Sequence, residues 1–113
     1  MKNIRNSVYL TGFAGSDPII INFSEQKRLA RVSLAVNEFY KNNAGEPVNQ
    51  VQWFNLIFWD KKVALAEQLI KKGTGICVEG RLSTQSYTDK KGEQRYTTEI
   101  FVNNLKLMDE TEA

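Results

Sequence analysis

Apolar and polar residues alternate with a period of two along most of this chain, a pattern that predicts β-strands. Five stretches are long enough to form the strands of a sheet. They cover about residues 4–13, 28–40, 48–59, 75–87 and 93–107. A shorter apolar stretch at residues 19–21 is expected to pair only weakly. Residues 41–47 are expected to form a loop, because they are polar and contain Gly and Pro.

One segment has a helical period instead, with four apolar residues spaced as on one face of a helix. They are Val63, Ala66, Leu69 and Ile70. Asp60 is expected to cap the N-terminus of this helix, because a short carboxylate there accepts a hydrogen bond from an otherwise unpaired backbone N–H. Residues 71–73, Lys-Lys-Gly, are expected to end it.

Three long strands, one helix and a final hairpin follow one another in the order of an OB-fold. The sequence therefore predicts an all-β protein, a five-stranded Greek-key barrel with one helix between strands three and four. Closure of such a barrel removes exposed sheet edges and leaves one face free for oligonucleotides. We expect one OB-fold domain at residues 1–108 and a short acidic tail at residues 109–113.

The third strand is dense in aromatic residues, and alternation sorts its side chains onto two faces. One face is wholly apolar and is expected to join the core. It carries Phe54, Leu56 and Phe58. The other face carries Trp53, Asn55, Ile57 and Trp59. Because the amide of Asn55 is costly to bury without a partner, we expect Trp53 and Trp59 on the outer, concave face.

Two tyrosines extend this prediction. Ile76, Val78 and Leu82 are expected to face inward in the fourth strand, which places Tyr87 on the outer face. Tyr40 ends the second strand and falls on the core side by alternation, so its exposure would require a bulge or a strand end. A base stacked on an exposed ring contributes about 1–3 kcal/mol whatever its identity, so such rings suit sequence-independent binding of a single strand.

The net charge of +2 conceals a more basic body, because residues 109–113 contain three of the acids. The first 108 residues carry 15 basic and 10 acidic side chains, which suits a polyanionic partner. Catalysis is poorly supported. The chain has no histidine and a single cysteine, so a Ser-His relay and a thiolate zinc site are both excluded. We expect no enzyme activity, no cofactor and no metal site.

The sequence also bears on location. No apolar run approaches the roughly 20 residues that a membrane-spanning helix needs, and the N-terminus lacks the apolar stretch of a signal peptide. The single cysteine, Cys77, cannot form an intramolecular disulfide and lies in an apolar stretch, where a buried and inert thiol is expected. These features favour a cytoplasmic protein.

Several segments, in order, resemble the DNA-binding domain of bacterial single-stranded DNA-binding proteins over about residues 3–108. They are residues 6–12, 17–18, 32–35, 52–55, 71–73, 78–82 and 89–100. The resemblance implies an OB-fold that assembles as a homotetramer and wraps single-stranded DNA. It further implies a role in DNA replication, recombination and repair in the bacterial cytoplasm, in association with the nucleoid.

The resemblance assigns residues to three roles. The stacking aromatics of the family fall on Tyr40, Trp53, Trp59 and Tyr87. Its phosphate-binding residues fall on Lys41, Lys61, Lys71, Lys72 and Arg95. Phe54 falls where members of the family make subunit contacts.

The chain also departs from the family. Uncharged residues stand at five positions where some members carry bases, which predicts a shallower salt dependence of binding. They are Ser7, Ile21, Ser83, Gln85 and Ser86. The family usually continues into a long linker and an acidic tip that recruits replication and repair proteins. Because this chain stops at residue 113, recruitment of those partners is left open.

Two other functions use the same residues. An OB-fold that binds RNA would need the same stacking and charge, and only its preference for the 2′-hydroxyl would distinguish it. In a protein-assembly module, Trp53 and Trp59 would instead fill a subunit interface, where aromatic residues are also enriched.

Overall fold

The computed structural model describes residues 6–108, which contain six strands and one helix. In chain order these are β1 (Val8–Ala14), β2 (Ile19–Asn22), β3 (Arg28–Lys41), β4 (Pro47–Trp59), α1 (Lys61–Leu69), β5 (Gly75–Thr88) and β6 (Gln94–Leu107). The expected start of the first strand at residue 4 lies outside the described residues, as does the acidic segment at residues 109–113. Within residues 6–108, no helix is long and apolar enough to cross a membrane.

The strands close into a barrel. Their order is β1-β5-β6-β4-β3-β2, and the barrel closes where Phe13 and Ala14 of β1 pair with Ala35 and Leu34 of β3. Neighbouring strands are antiparallel except β4 and β6, which run parallel. The predicted five-stranded barrel with one helix is confirmed. The stretch at residues 19–21 pairs with β3 along its whole length and belongs to an additional strand, β2. The described residues therefore contain six strands, and α1 follows the fourth of them.

The core lies inside the barrel and under the helix. Leu56 and Phe58 of β4 are fully buried there, and Phe54 is partly buried against the same cluster, as the alternation predicts. From α1, Val63 and Ala66 pack into the cluster. Burial of each large side chain contributes about 1.5–3 kcal/mol, and among residues 6–108 no polar or charged residue is buried with them.

The start of α1 differs from the prediction. Asp60 occupies the N-cap position, but its φ of 51° and ψ of −111° leave the extended region that a capping residue adopts, and its carboxylate makes no capping hydrogen bond. Its backbone is used instead. The N–H donates to the carbonyl oxygen of Arg28 at 2.9 Å, and its carbonyl oxygen accepts from the N–H of Val63 at 3.0 Å. This tight turn from β4 into α1 sets the conformation of Asp60.

The helix ends earlier than predicted, at Leu69, because Ile70 is extended. Gly73, with φ of 91°, belongs to the following turn, in which the N–H of Thr74 donates to the carbonyl oxygen of Lys71 at 2.9 Å. A positive φ is the conformation that glycine adopts most readily.

Two hairpin arms extend from the barrel, one made by β3 and β4 and the other by β5 and β6. Both end in the same tight turn. Asn42 and Asp89 each accept two backbone N–H groups at their side-chain oxygen, and Gly45 and Gly92 supply the positive φ. On the second arm, Leu82 faces the core side but is 45% exposed, because the strand leaves the barrel near this residue.

Candidate nucleic-acid interface

Four adjacent strands, β3, β4, β6 and β5, share one outer face. Cross-strand pairing places Ser33, Asn55, Glu99 and Ser83 in one row across this face. Because side chains two residues apart share a face, the Trp53 and Trp59 side chains lie on the same side as Asn55. Trp53 is 63% exposed and Trp59 is 37% exposed. The alternation therefore placed both indoles correctly.

Trp59 is the centre of an aromatic cluster. The ring of Phe23 stacks on it with a centroid separation of 6.1 Å and an interplanar angle of 23°. Phe101 meets it edge to face at 6.0 Å and 76°. The guanidinium of Arg81 lies over Phe101, 5.1 Å from the ring centroid. These geometries fall in the ranges of favourable aromatic and cation–π contacts.

Sequence reasoning missed three members of this cluster. Phe101 lies between Ile100 and Val102, both buried, so alternation alone would have placed it outward. Arg81 alternates with Leu82 and so falls outward by the same rule, but alternation does not connect it with any ring. Phe23 follows β2 in a turn, where strand periodicity carries no signal, so only the tertiary structure brings it to Trp59.

A groove beside the cluster supplies positive charge. It has a volume of about 390 Å³, and Trp59 and Phe101 form part of its wall. Three cations, Lys61, Lys62 and Arg81, line it together with one acid, Asp60. The groove therefore places cations beside the exposed ring of Trp59, the combination that binds a nucleic-acid strand.

Trp53 is positioned by a glycine. The N–H of Gly15 donates to the carbonyl oxygen of Ser33 at 2.7 Å, which holds this residue beside β3 directly after the paired residues Phe13 and Ala14. A Cβ atom built on Gly15 would lie 2.5 Å from Cζ3 of Trp53, far inside van der Waals contact. The indole thus occupies space that any other side chain at position 15 would need.

Lys71 and Lys72 follow α1 in a loop tied to the same segment. The backbone N–H of Lys72 donates to the Asp17 carboxylate at 2.8 Å, and the N–H of Gly73 donates to the carbonyl oxygen of Ala14 at 2.7 Å. Since Gly15 lies between Ala14 and Asp17, this loop is anchored beside the residue that contacts Trp53. Both lysine side chains are exposed.

Tyr40 and Lys41 lie at the tip of the first arm. Pairing runs in regular register from Leu29 with Trp59 to Lys41 with Pro47. Tyr40 is therefore exposed without the expected bulge, and within the strand, because the arm extends beyond the barrel. By register its side chain lies on the opposite face of the arm from that of Trp53.

Tyr87 and Arg95 form a cross-strand pair on the second arm. Tyr87 is exposed on the same face as Arg81, as alternation predicts. The Arg95 guanidinium already has two acidic partners, Asp89 at 2.9 Å and Glu93 at 3.5 Å. The hydrogen bond from Arg95, supported by the backbone N–H of Glu93, lowers the pKa of Asp89 below its usual value. The charge of Arg95 is thus partly neutralised within the protein.

An ion pair crosses the middle of the outer face. Arg31 on β3 and Glu99 on β6 approach to 3.5 Å, and β4 lies between these strands. Ile57 pairs with Arg31 on one side and with Phe101 on the other, and it is buried although it points outward. The sequence did not predict an acid at the centre of this basic and aromatic face.

The remaining candidates lie elsewhere. Phe54 pairs with Leu34 on the core side of β4. Cys77 is half-buried rather than buried, because its side chain points away from the core. Its sulfur accepts a hydrogen bond from the Thr11 hydroxyl at 3.4 Å. Among residues 6–108, no group of three or more His, Cys, Asp or Glu residues could hold a metal ion.

Together these features define a class: a closed β-barrel that carries exposed aromatic rings and clustered cations on one sheet face. The chain belongs to the single-strand binding protein family, whose model matches residues 5–108.

Two comparisons show how close the relationship is. The chain is 31% identical over 104 residues to single-stranded DNA-binding protein 1 of Chlorobaculum tepidum, which covers 91% of this chain and 64% of that protein. The chain thus spans slightly less than two thirds of the length of that relative. The structure of Plasmodium falciparum SSB in complex with ssDNA superposes with a TM-score of 0.85 at 25% identity, covering 96% of this chain and 99% of the other.

Proposed function

We propose that this protein is an OB-fold, Greek-key barrel that binds single-stranded DNA without sequence preference and without catalysing a reaction. The observation that carries the proposal is that Trp53 and Trp59 are exposed on one face of a barrel that matches the single-strand binding family. The solved relative in complex with ssDNA supports the same ligand.

Bases stack on four rings in this proposal: Tyr40, Trp53, Trp59 and Tyr87. Each ring is exposed, and each stacked base contributes about 1–3 kcal/mol. Every base has a π-face, so stacking tolerates any sequence. Bases inside a duplex are already stacked on one another, so the same rings discriminate against double-stranded DNA.

Five cations contact the DNA phosphates in this proposal: Lys41, Lys61, Lys71, Lys72 and Arg95. All five side chains are exposed. Each phosphate neutralised releases counterions and steepens the dependence of affinity on salt, by about 0.7 in the logarithmic slope for a single strand. Lys61 is placed best, because it lines the groove beside Trp59.

Assembly as a homotetramer is part of the proposal, and the edge of β1 supports it. Among residues 6–108, this strand is hydrogen-bonded to β5 from Val8 to Phe13, whereas its pairing with β3 is confined to Phe13 and Ala14. Strand edges of this kind are covered in stable proteins, often by another chain. In this proposal Phe54 also contacts a neighbouring subunit.

We propose that the protein protects single strands during DNA replication, recombination and repair, in the bacterial cytoplasm and associated with the nucleoid. Residues 1–108 form the DNA-binding domain in this proposal, and residues 109–113 form an acidic tail. The acidic residues of that tail do not bind the strand in this proposal, because their negative charges repel phosphate groups.

A titration of tryptophan fluorescence tests the proposal. Oligo-dT is expected to quench the emission of Trp53 and Trp59. Increasing the salt concentration should weaken this binding, and duplex DNA should cause no quenching. Tighter binding of poly-U than of matched poly-dT would instead favour an RNA-binding module. If neither strand binds at low salt, and iodide fails to quench the free protein, the indoles serve assembly.

A further inference from the structure

Phe23 is an exposed ring in a place where burial would be expected. It follows β2 directly, is 59% exposed, and rests on Trp59 with one face. The stack covers part of Trp59, which is itself only 37% exposed. A strand that approaches this end of the outer face therefore reaches Phe23 as well as the indole.

The orientation of this ring is set by the fold. The N–H groups of Phe23 and Ser24 both donate to the carbonyl oxygen of Lys27, at 2.8 Å and 3.2 Å, and so close the turn that carries the ring. Behind it, Trp59 is held by its edge-to-face contact with Phe101. A platform ordered in advance lowers the entropic cost of binding.

Two cations and two acids flank the ring. A second groove, of about 380 Å³, runs beside the turn, and Arg28 and Lys61 line it with Glu25, Gln26 and Asp60. Arg28 also contacts Glu67 at 3.6 Å, so Lys61 is the cation of this groove best placed to meet a phosphate. Lys61 lines the groove beside Trp59 too, and hence lies between the two grooves.

We infer that Phe23 is a fifth base-stacking platform for the single strand. This inference rests on the proposed binding of single-stranded DNA. The ring of Phe23 offers its solvent-facing side to a base, Trp59 supports the opposite side, and Lys61 meets the adjoining phosphate.

Substitution at position 23 tests the inference in the full chain. Phe23→Leu keeps an apolar side chain but removes the ring, and it should weaken oligo-dT binding about fivefold or more, with the salt slope unchanged. Phe23→Tyr should bind within about twofold of the original protein, because the π-face remains. Tyr96→Leu is the matched control, since Tyr96 is 68% exposed but by register lies on the opposite face of the second arm from Tyr87.

A photochemical measurement reports the contact directly. An oligonucleotide with 5-iodouracil in place of thymine should cross-link to Phe23, and mass spectrometry should identify the modified peptide. Equal binding by Phe23→Leu and the original protein, without a cross-link at position 23, would overturn the inference. An equal loss in Tyr96→Leu would overturn it as well, because any exposed ring would then suffice.

Trp53→Ala, measured in parallel, separates failure of this inference from failure of the proposed function. If Trp53→Ala weakens binding and Phe23→Leu does not, only the fifth platform is wrong. If the original protein does not bind oligo-dT, the proposed function fails and the inference fails with it.

Discussion

Gly15 and Trp53 are in contact, and the indole lies where a side chain at position 15 would have to be. Cζ3 of the indole is 2.5 Å from the Cβ that any other residue would carry, and Cη2 is 3.1 Å from it. Gly15 is in turn held by the 2.7 Å hydrogen bond from its N–H to the carbonyl oxygen of Ser33. The exposed, candidate DNA-binding ring thus occupies space that is open because residue 15 has no side chain.

The first prediction concerns this contact. Gly15→Ala should displace the Trp53 ring and weaken oligo-dT binding by up to about 1–3 kcal/mol, the contribution of one stacked base. Gly15→Ala introduced together with Trp53→Ala should cause no loss beyond that of Trp53→Ala alone, because the glycine acts through the ring. Additive losses in this double-mutant cycle would show that Gly15 acts in another way. Fluorescence titration measures all three variants.

The second prediction separates stacking from charge. Trp53→Ala should weaken binding by about 1–3 kcal/mol and leave the slope of log affinity against log salt unchanged. Tyr96→Ala is the control, since Tyr96 is exposed on the second arm but by register faces away from Tyr87. Equal affinity of Trp53→Ala and the original protein would remove Trp53 from the site.

The third prediction compares two cations. Lys61→Ala should reduce the salt slope by up to about 0.7, because Lys61 lines the groove beside Trp59. Arg95→Ala should reduce it less, since Asp89 and Glu93 already neutralise part of the Arg95 charge. Titrations at several salt concentrations give both slopes. A larger effect at Arg95 than at Lys61 would show that DNA displaces the two carboxylates.

The fourth prediction concerns backbone strain. Asp60 has a φ of 51° with a ψ of −111°, a region where glycine is favoured. Asp60→Gly should therefore raise the free energy of unfolding by about 1 kcal/mol, measured by urea denaturation. Asp60→Ala removes the same carboxylate but keeps a Cβ, and it should not stabilise the protein. Equal effects of the two variants would attribute the change to charge.

The fifth prediction concerns pH. The pKa of Asp89 is lowered in the folded state by the Arg95 hydrogen bond, so its carboxylate favours folding above the unfolded pKa. That contribution to stability is lost as the pH falls from 3.8, the usual pKa of the carboxyl group, through the lower pKa that Asp89 has in the folded state. Arg95→Gln should raise the pKa of Asp89, which is measured by following the NMR signal of its carboxyl group as a function of pH. An unchanged titration would show that the backbone N–H groups alone hold it.

The strands show which features a local pattern can predict. Alternation assigned Phe54, Leu56 and Phe58 inward and both tryptophans outward, because a strand turns successive side chains to opposite faces wherever it is placed. The same rule failed for the exposure of Tyr40 and Leu82. Exposure depends on where the barrel ends and the arms begin, which is a property of the assembled sheet.

The candidate site shows the same division. The sequence by itself determined the period of the strands, the core face of β4, and the excess of basic over acidic residues in the body of the chain. Only the tertiary structure decided which side chains meet: Phe23 with Trp59, Gly15 with Trp53, and Arg31 with Glu99 across β4. Periodicity is local to one strand, whereas these contacts join residues distant in sequence that strand pairing and closure of the barrel bring together.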